Sequence, residues 1–414
     1  MFRKNSVSVF LEKLIEYAPK TPLLVLSRVG GGKTQIFKNL LEALISRFET
    51  DPSIKIILTD QKGIFFQGLP VSDKSLILLD PMDSRSACWD LAKDLADIDE
   101  VALLNFSLNV VESIYGSLYG ENDFFWKKTL AYELIDAINF CRQEMTKTGI
   151  SWQWKDLKHV LELNLKNKES NKLNDSVSLM AEKLLSIFDK ISEAWEQDPT
   201  RIQFSFKNWF NQEHINVWRA DPSDLTGKNI LVLKFGKDQE GFFPIIVNSF
   251  MSILLLNGIN KNGKEDFDKR KCSSWVLLDE AATIPFTENV FRDIFLTESG
   301  WCPQGHQLLC SGGRRPIQFV FGYQDLDQIA KQFNESSQKD FLHLASGIIL
   351  GGKSIDNNAT VLKRFDLSWT LTRDLGPKKN GICSVTTLCG EWIVRKIVWP
   401  FVNWKERRSR DSEI

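Results

Sequence analysis

The stretch Ser27-Arg28-Val29-Gly30-Gly31-Gly32-Lys33-Thr34 holds the residue types that grip a phosphate. Glycines at 30, 31 and 32 let backbone N–H groups turn inward around phosphate oxygens, Lys33 can reach the β/γ-phosphates, and the Thr34 hydroxyl can hold Mg²⁺. The chemistry is nucleotide binding. The usual pattern opens with glycine where this chain has Ser27, a change that costs little if the serine keeps ordinary backbone angles. A Gly-rich turn that happens to precede a lysine is the alternative, and the flanking sequence argues against it.

Trp275-Val276-Leu277-Leu278-Asp279-Glu280 is an apolar run ending in two carboxylates. Opposite a phosphate loop, Asp279 would bind the Mg²⁺ shell and Glu280 would orient and deprotonate the attacking water. Alone, such a run also describes a surface strand end. Ile317 to Gln324 is another apolar run, whose terminal Gln324 could sense a γ-phosphate or be no more than a polar strand end. Gly313-Arg314-Arg315 offers guanidinium groups for a neighbouring subunit's nucleotide, or an ordinary solvated turn.

These residues need elements to position them. Leu23 to Leu26 has strand character, and Ile36, Leu40, Leu41, Leu44, Ile45 and Phe48 form a helical stripe, so the loop lies between strand and helix. Further strands are predicted at 55–60, 75–80, 229–235, 274–278, 317–323, 347–350 and 392–398, and alternation of strand with helix means a mostly parallel sheet. From 89 to 200 strand signals vanish and helical stripes dominate, with Trp126, Leu130, Leu134 and Ile138 on one and Leu179, Leu184, Ile187 and Ile191 on others. The reading is an α/β fold, with 1–88 and 201–404 as a discontinuous nucleotide-binding domain, 89–200 as an all-helical insertion and 405–414 as a charged tail. Lys166 to Asn174 reads as a solvated loop within the insertion.

Bulk properties narrow the field. With 52 Lys+Arg against 53 Asp+Glu the net charge is −1, so any contact with DNA must be local or assembled by oligomerisation. Seven scattered cysteines without a C-x-x-C pair suit a reducing compartment, and Cys302, His306 and Cys310 lack the fourth partner of a zinc site. Charges interrupt the N-terminal apolar residues, which read as an amphipathic helix, and Phe242 to Ile259 reads as a buried helix; no membrane span is encoded.

Five stretches together resemble the cytosolic ATPase part of type IV coupling proteins, the TraD/TraG-type motors of conjugation and type IV secretion. They are the phosphate loop, Asp60-Gln61-Lys62-Gly63, the segment Asp80-Pro81-Met82-Asp83-Ser84-Arg85-Ser86-Ala87-Cys88-Trp89-Asp90, the Leu278-Asp279-Glu280 strand end, and Gly313-Arg314-Arg315 followed by Gly322-Tyr323-Gln324. Phe204-Ser205-Phe206-Lys207-Asn208-Trp209 also resembles the segment leading back into the family's sheet. The resemblance spans roughly residues 20 to 355.

It implies a RecA-like P-loop NTPase with an all-α inserted domain, assembled as a homohexamer that hydrolyses ATP with Mg²⁺. Such a motor moves DNA, single- or double-stranded, or protein substrates toward a secretion channel, with a relaxase or secreted protein and channel components as partners. By the same resemblance Asp60 joins Ser27, Gly30–Gly32, Lys33, Thr34 and Asp279 at the nucleotide, and Arg314 or Arg315 acts in trans. The family's N-terminal membrane helices have no counterpart here, so the expectation is a cytoplasmic protein, brought to the inner membrane, if at all, by a partner. A double-stranded DNA pump of the FtsK/HerA sort is an alternative that the long helical insertion matches poorly. A nucleotide-gated adaptor that selects protein substrates is the alternative from another class.

Overall fold

The computed structural model describes residues 22–48, 54–71, 75–115, 121–169, 175–196, 200–211, 228–234, 243–257, 274–284, 317–332, 347–351, 375–379, 381–388 and 395–404, with isolated positions elsewhere. Seven parallel strands run in the order β9 (Gly347–Gly351), β1 (Leu23–Ser27), β8 (Ile317–Tyr323), β7 (Ser274–Leu278), β2 (Lys55–Thr59), β6 (Ile230–Leu233) and β3 (Leu76–Leu79). An antiparallel extension continues past β9: β11 (Gly381–Leu388) pairs with β9, and β10 (Gly376–Lys378) and β12 (Arg395–Trp399) both pair with β11.

The central strands are continuous apolar runs because both faces are covered. Side-chain alternation divides each between two cores: Leu24 and Leu26 point into one cluster, Leu23 and Val25 into the other. Helix α1 (Lys33–Ile45) covers the second face through Ile36, Phe37, Leu40, Leu41 and Leu44, with Ile45 and Phe48 partly buried. Val7, Phe10, Leu11 and Leu14 join that core at helical spacing, as an amphipathic helix should, with Phe10 edge-on to Trp399.

The other face carries α9 (Phe243–Asn257), largely apolar and buried from Ile245 to Leu254. Between β4 (Cys88–Trp89) and β5 (Gln203–Phe204), which pair in parallel, lie the short α3 (Leu91–Leu95) and four longer helices: α4 (Glu100–Tyr115), α5 (Glu121–Thr148), α6 (Trp154–Glu169) and α7 (Asp175–Trp195). Leu130, Leu134, Ile138, Leu184, Ile187 and Ile191 fill their interior, whereas Leu179 is exposed. The expected loop from Lys166 to Asn174 is helical in its first part, since α6 runs on to Glu169 with a Glu162–Lys166 ion pair on its surface, and 170–174 lie outside the described residues.

The helical block shares a core with the sheet. Helix α4 packs on α9, Asn109 Nδ2 donates to Ser252 Oγ at 2.8 Å, and one hydrophobic cluster runs from α5–α7 through α4 into β8. The stem is held by Asp94: its carboxylate accepts from the Trp89 indole at 2.8 Å and from the backbone N–H groups of Phe206 and Lys207 at 3.0 and 2.8 Å. Around it Trp89 packs against Trp154, Phe206 and Phe250. Helix α8 (Phe206–Asn211) then leads the chain back toward β6.

Candidate nucleotide-binding site

Parallel register aligns the carboxyl ends of β1, β8, β7 and β2, since Leu26 pairs with Tyr323, Leu278 with Phe321 and Leu278 with Thr59. The loops leaving that edge form the crevice where open α/β sheets bind ligands. The loop after β1 doubles back through a hydrogen bond from Gly31 N–H to the Arg28 carbonyl at 2.8 Å, with Gly30 at φ 73° and Gly32 at φ 100°. Those angles favour glycine. Gly32 caps α1 without any side-chain hydrogen bond, so the helix enters the crevice with its first-turn donors unclaimed by a capping side chain.

Ser27 stands where a glycine is usual, and the next strand compensates. A Cβ on Gly351, its register partner in β9, would lie 3.1 Å from Ser27 Oγ and 3.3 Å from the Gly31 carbonyl. The serine therefore occupies the space that a side chain at 351 would need.

Strands β1, β8 and β7 bring Lys33, Gln324, Asp279 and Glu280 together. Lys33 Nζ is 3.2 Å from Asp279 Oδ1 and 2.9 Å from Glu280 Oε2, and Gln324 Nε2 is 3.4 Å from Glu280 Oε2. From β2, Lys62 Nζ reaches Glu280 Oε1 at 3.2 Å. Burial raises the carboxyl pKa of Asp279, opposed by the Lys33 charge. Burial acts the same way on Glu280, but Lys33 and then Lys62 outweigh it and hold that carboxyl below its usual range. Glu280 is the one non-glycine residue with positive φ among the described residues, at φ 56°, and its carbonyl accepts from Thr283 Oγ1 at 2.6 Å and Thr283 N–H at 2.8 Å.

This set suits a nucleoside triphosphate with a hard divalent cation. Lys33 Nζ is buried between the Asp279 and Glu280 carboxylates, a cation at the end of the loop that phosphate oxygens would compete for. Thr34 and Asp279 carry a hydroxyl and a carboxylate, oxygen ligands of the kind that would suit Mg²⁺.

Asp60 directs its carboxylate to the backbone that follows it. Its Oδ1 accepts from Ile64 N–H at 3.0 Å and its Oδ2 from Phe66 N–H at 2.7 Å, which caps α2 (Ile64–Gly68) and fixes the turn carrying Lys62. In the segment from Asp80 to Asp90 the charged side chains at 80, 83 and 85 have ion-pair partners. Asp80 pairs with Lys234 at 2.9 Å, and Arg85 forms a fork on Asp83 at 2.9 and 2.7 Å that takes the Asp83 carboxyl down to about 2. Arg314 and Arg315, the Cys302-His306-Cys310 group and the tail from 405 lie outside the described residues. Sequence reasoning gave no role to Gly322, Gly351 or Lys62; the Gly-Tyr-Gln and Lys-Gly stretches held two of them, and only register could find Gly351.

Among solved structures, the plasmid coupling protein TrwB with a non-hydrolysable ATP analogue is 15% identical at a TM-score of 0.58, covering 93% of this chain and 86% of that one. The same protein with ADP and Mg²⁺ gives 15% and 0.57 over the same shares. VirB4 of Thermoanaerobacter pseudethanolicus gives 12% and 0.50, covering 94% of this chain and 90% of that one. At these identities the likeness is one of fold: a RecA-like sheet with an all-α part. Comparison with curated proteins returned no match. The family model for the type IV secretion-system coupling protein DNA-binding domain matches residues 18–294, about two thirds of the chain, and on that match this protein belongs to the type IV secretion-system coupling protein family.

Proposed function

We propose that this protein is an ATP-hydrolysing coupling motor that moves DNA, alone or with attached protein, toward a type IV secretion or conjugation channel. The observation that carries the reading is the convergence of Lys33, Asp279, Glu280 and Gln324 from three adjacent strands on one crevice. The Gly30–Gly32 backbone and Lys33 bind the phosphates, and Gln324 senses the γ-phosphate. Glu280 orients a water on the γ-phosphorus and takes its proton as the bond to ADP breaks. Thr34 and Asp279 would hold Mg²⁺, which would supply charge neutralisation to the phosphates.

Residues 1–88 and 201–404 make the nucleotide-binding part and 89–200 the part that chooses cargo. The active assembly is a homohexamer in which Arg314 or Arg315 reaches the neighbouring subunit's nucleotide, and a ring would concentrate a few basic residues on DNA despite a net charge of −1. Among the described residues no helix is long and apolar enough to cross a membrane. Partners are DNA, a relaxase or secreted protein, and channel components.

The test is ATP turnover measured with and without single-stranded and duplex DNA across salt. A motor shows DNA-stimulated turnover, and duplex binding weakens with a log–log slope of about −0.9 per phosphate neutralised. Nucleotide binding with no response to either DNA would replace the motor by a nucleotide-gated adaptor.

A further inference from the structure

We infer that Lys62 is a positioning residue for hydrolysis: it holds Glu280 in place once Lys33 has turned to the nucleotide. The inference rests on the reading of Glu280 as the water-orienting carboxylate.

The two oxygens of Glu280 have separate partners. Oε2 faces Lys33 at 2.9 Å and Gln324 at 3.4 Å, and Oε1 faces Lys62 at 3.2 Å. Lys33 cannot serve phosphates and Glu280 equally, because a triphosphate draws its ammonium away. Gln324 is neutral, Asp279 and Asp60 carry the wrong sign, and that leaves Lys62 as the cation on Glu280 among the described residues.

The backbone is built to hold this lysine. Both oxygens of buried Asp60 are spent on N–H groups of α2, and Gly63 at φ 67° closes the turn, so Lys62 leaves β2 from a fixed point. Its side chain is 64% exposed, where an ion pair adds little to stability. The pair is better explained by aim: Glu280 sits on a strained left-handed backbone, and a carboxylate gripped on one oxygen keeps the other for water.

The experiment compares Lys62→Met, Lys62→Arg, Glu280→Gln and the double variant in the full chain, measuring kcat and KM for ATP and the Kd of a fluorescent ATP analogue. Lys62→Met should lower kcat at least tenfold with KM and Kd within about twofold, and Lys62→Arg should restore most of the rate. On the Glu280→Gln background Lys62→Met should cost nothing further, because it acts through that carboxylate. Full turnover in Lys62→Met beside an inactive Glu280→Gln overturns the inference and spares the reading. A parallel loss of Kd and kcat would make Lys62 a phosphate ligand and also overturn it. Wild-type turnover in Glu280→Gln would remove the reading itself, and the inference with it.

Discussion

Gly322 of β8 lies directly beneath Phe37 of α1: a Cβ at 322 would sit 2.9 Å from Phe37 Cε2 and 3.1 Å from Lys33 Cδ. The glycine lets the helix carrying Lys33 settle against the strand that ends at Gln324. Gly322→Ala should cost about 1–3 kcal/mol of stability by overpacking and weaken nucleotide binding by displacing Lys33. Phe37→Leu in the same chain should return part of both. Thermal unfolding and nucleotide titration of the single and double variants check this, and additive losses would show that the contact is not the cause.

Lys33 and Glu280 should fail differently. Lys33→Ala removes the cation between Asp279 and Glu280, so nucleotide affinity should fall at least tenfold. Glu280→Gln keeps the shape and should bind nucleotide as before, while turnover drops by roughly 10²–10⁴. Isothermal titration beside phosphate release separates the two.

The hydroxyl of Ser27 is buried and has no hydrogen-bond partner among the described residues. Ser27→Ala should therefore be neutral or stabilise by about 1 kcal/mol. Gly351→Ala should disturb the phosphate loop through the contacts at 3.1 and 3.3 Å, and adding Ser27→Gly should relieve the first. Melting temperatures of the three variants test the pair.

Asp94 is fully enclosed, and burial raises its carboxyl to about 7 against three N–H donors that favour the anion. Its folded pKa lies above the unfolded value of about 3.9, so the unfolded chain binds fewer protons in that window. Its contribution to stability is complete below about pH 4 and declines as pH rises toward 7. Asp94→Asn removes this pH dependence but offers one oxygen to three donors, a loss of about 2–4 kcal/mol. Denaturant unfolding of both proteins at pH 5 and 8 should show the gap narrowing at the higher pH.

The strands that position the site were legible because each is a short apolar run ending in a chemically distinct residue. Leu23 to Leu26, Trp275 to Leu278 and Ile317 to Tyr323 lie where their patterns put them. The antiparallel extension was less legible. Ser384, Thr386 and Thr387 dilute the apolar signal of β11, and β10 opens on Gly376-Pro377. Two-residue strands such as β4 and β5 carry no periodicity, being set by long-range pairing alone. Asp60 shows the limit at the site: a motif can say that a carboxylate belongs there, and only the fold shows that its oxygens face backbone amides.

The packing of α4 on α9 changes what kind of attachment the helical block has. Were 89–200 to fold around its own core, a short linker could replace it and leave nucleotide binding intact. Here the swap would strip α9 of its cover and cut the hydrogen bonds from Asn109 to Ser252 and from Thr287 to Asn109. A cut beyond Tyr115 that keeps α4 is the gentler excision. In mechanical terms the block is a splined joint and not a tether: a load on the outer helices cannot be absorbed as free rotation at the stem. It passes through α4 into the layer lying on the sheet, whose strands lead to Lys33, Glu280 and Gln324.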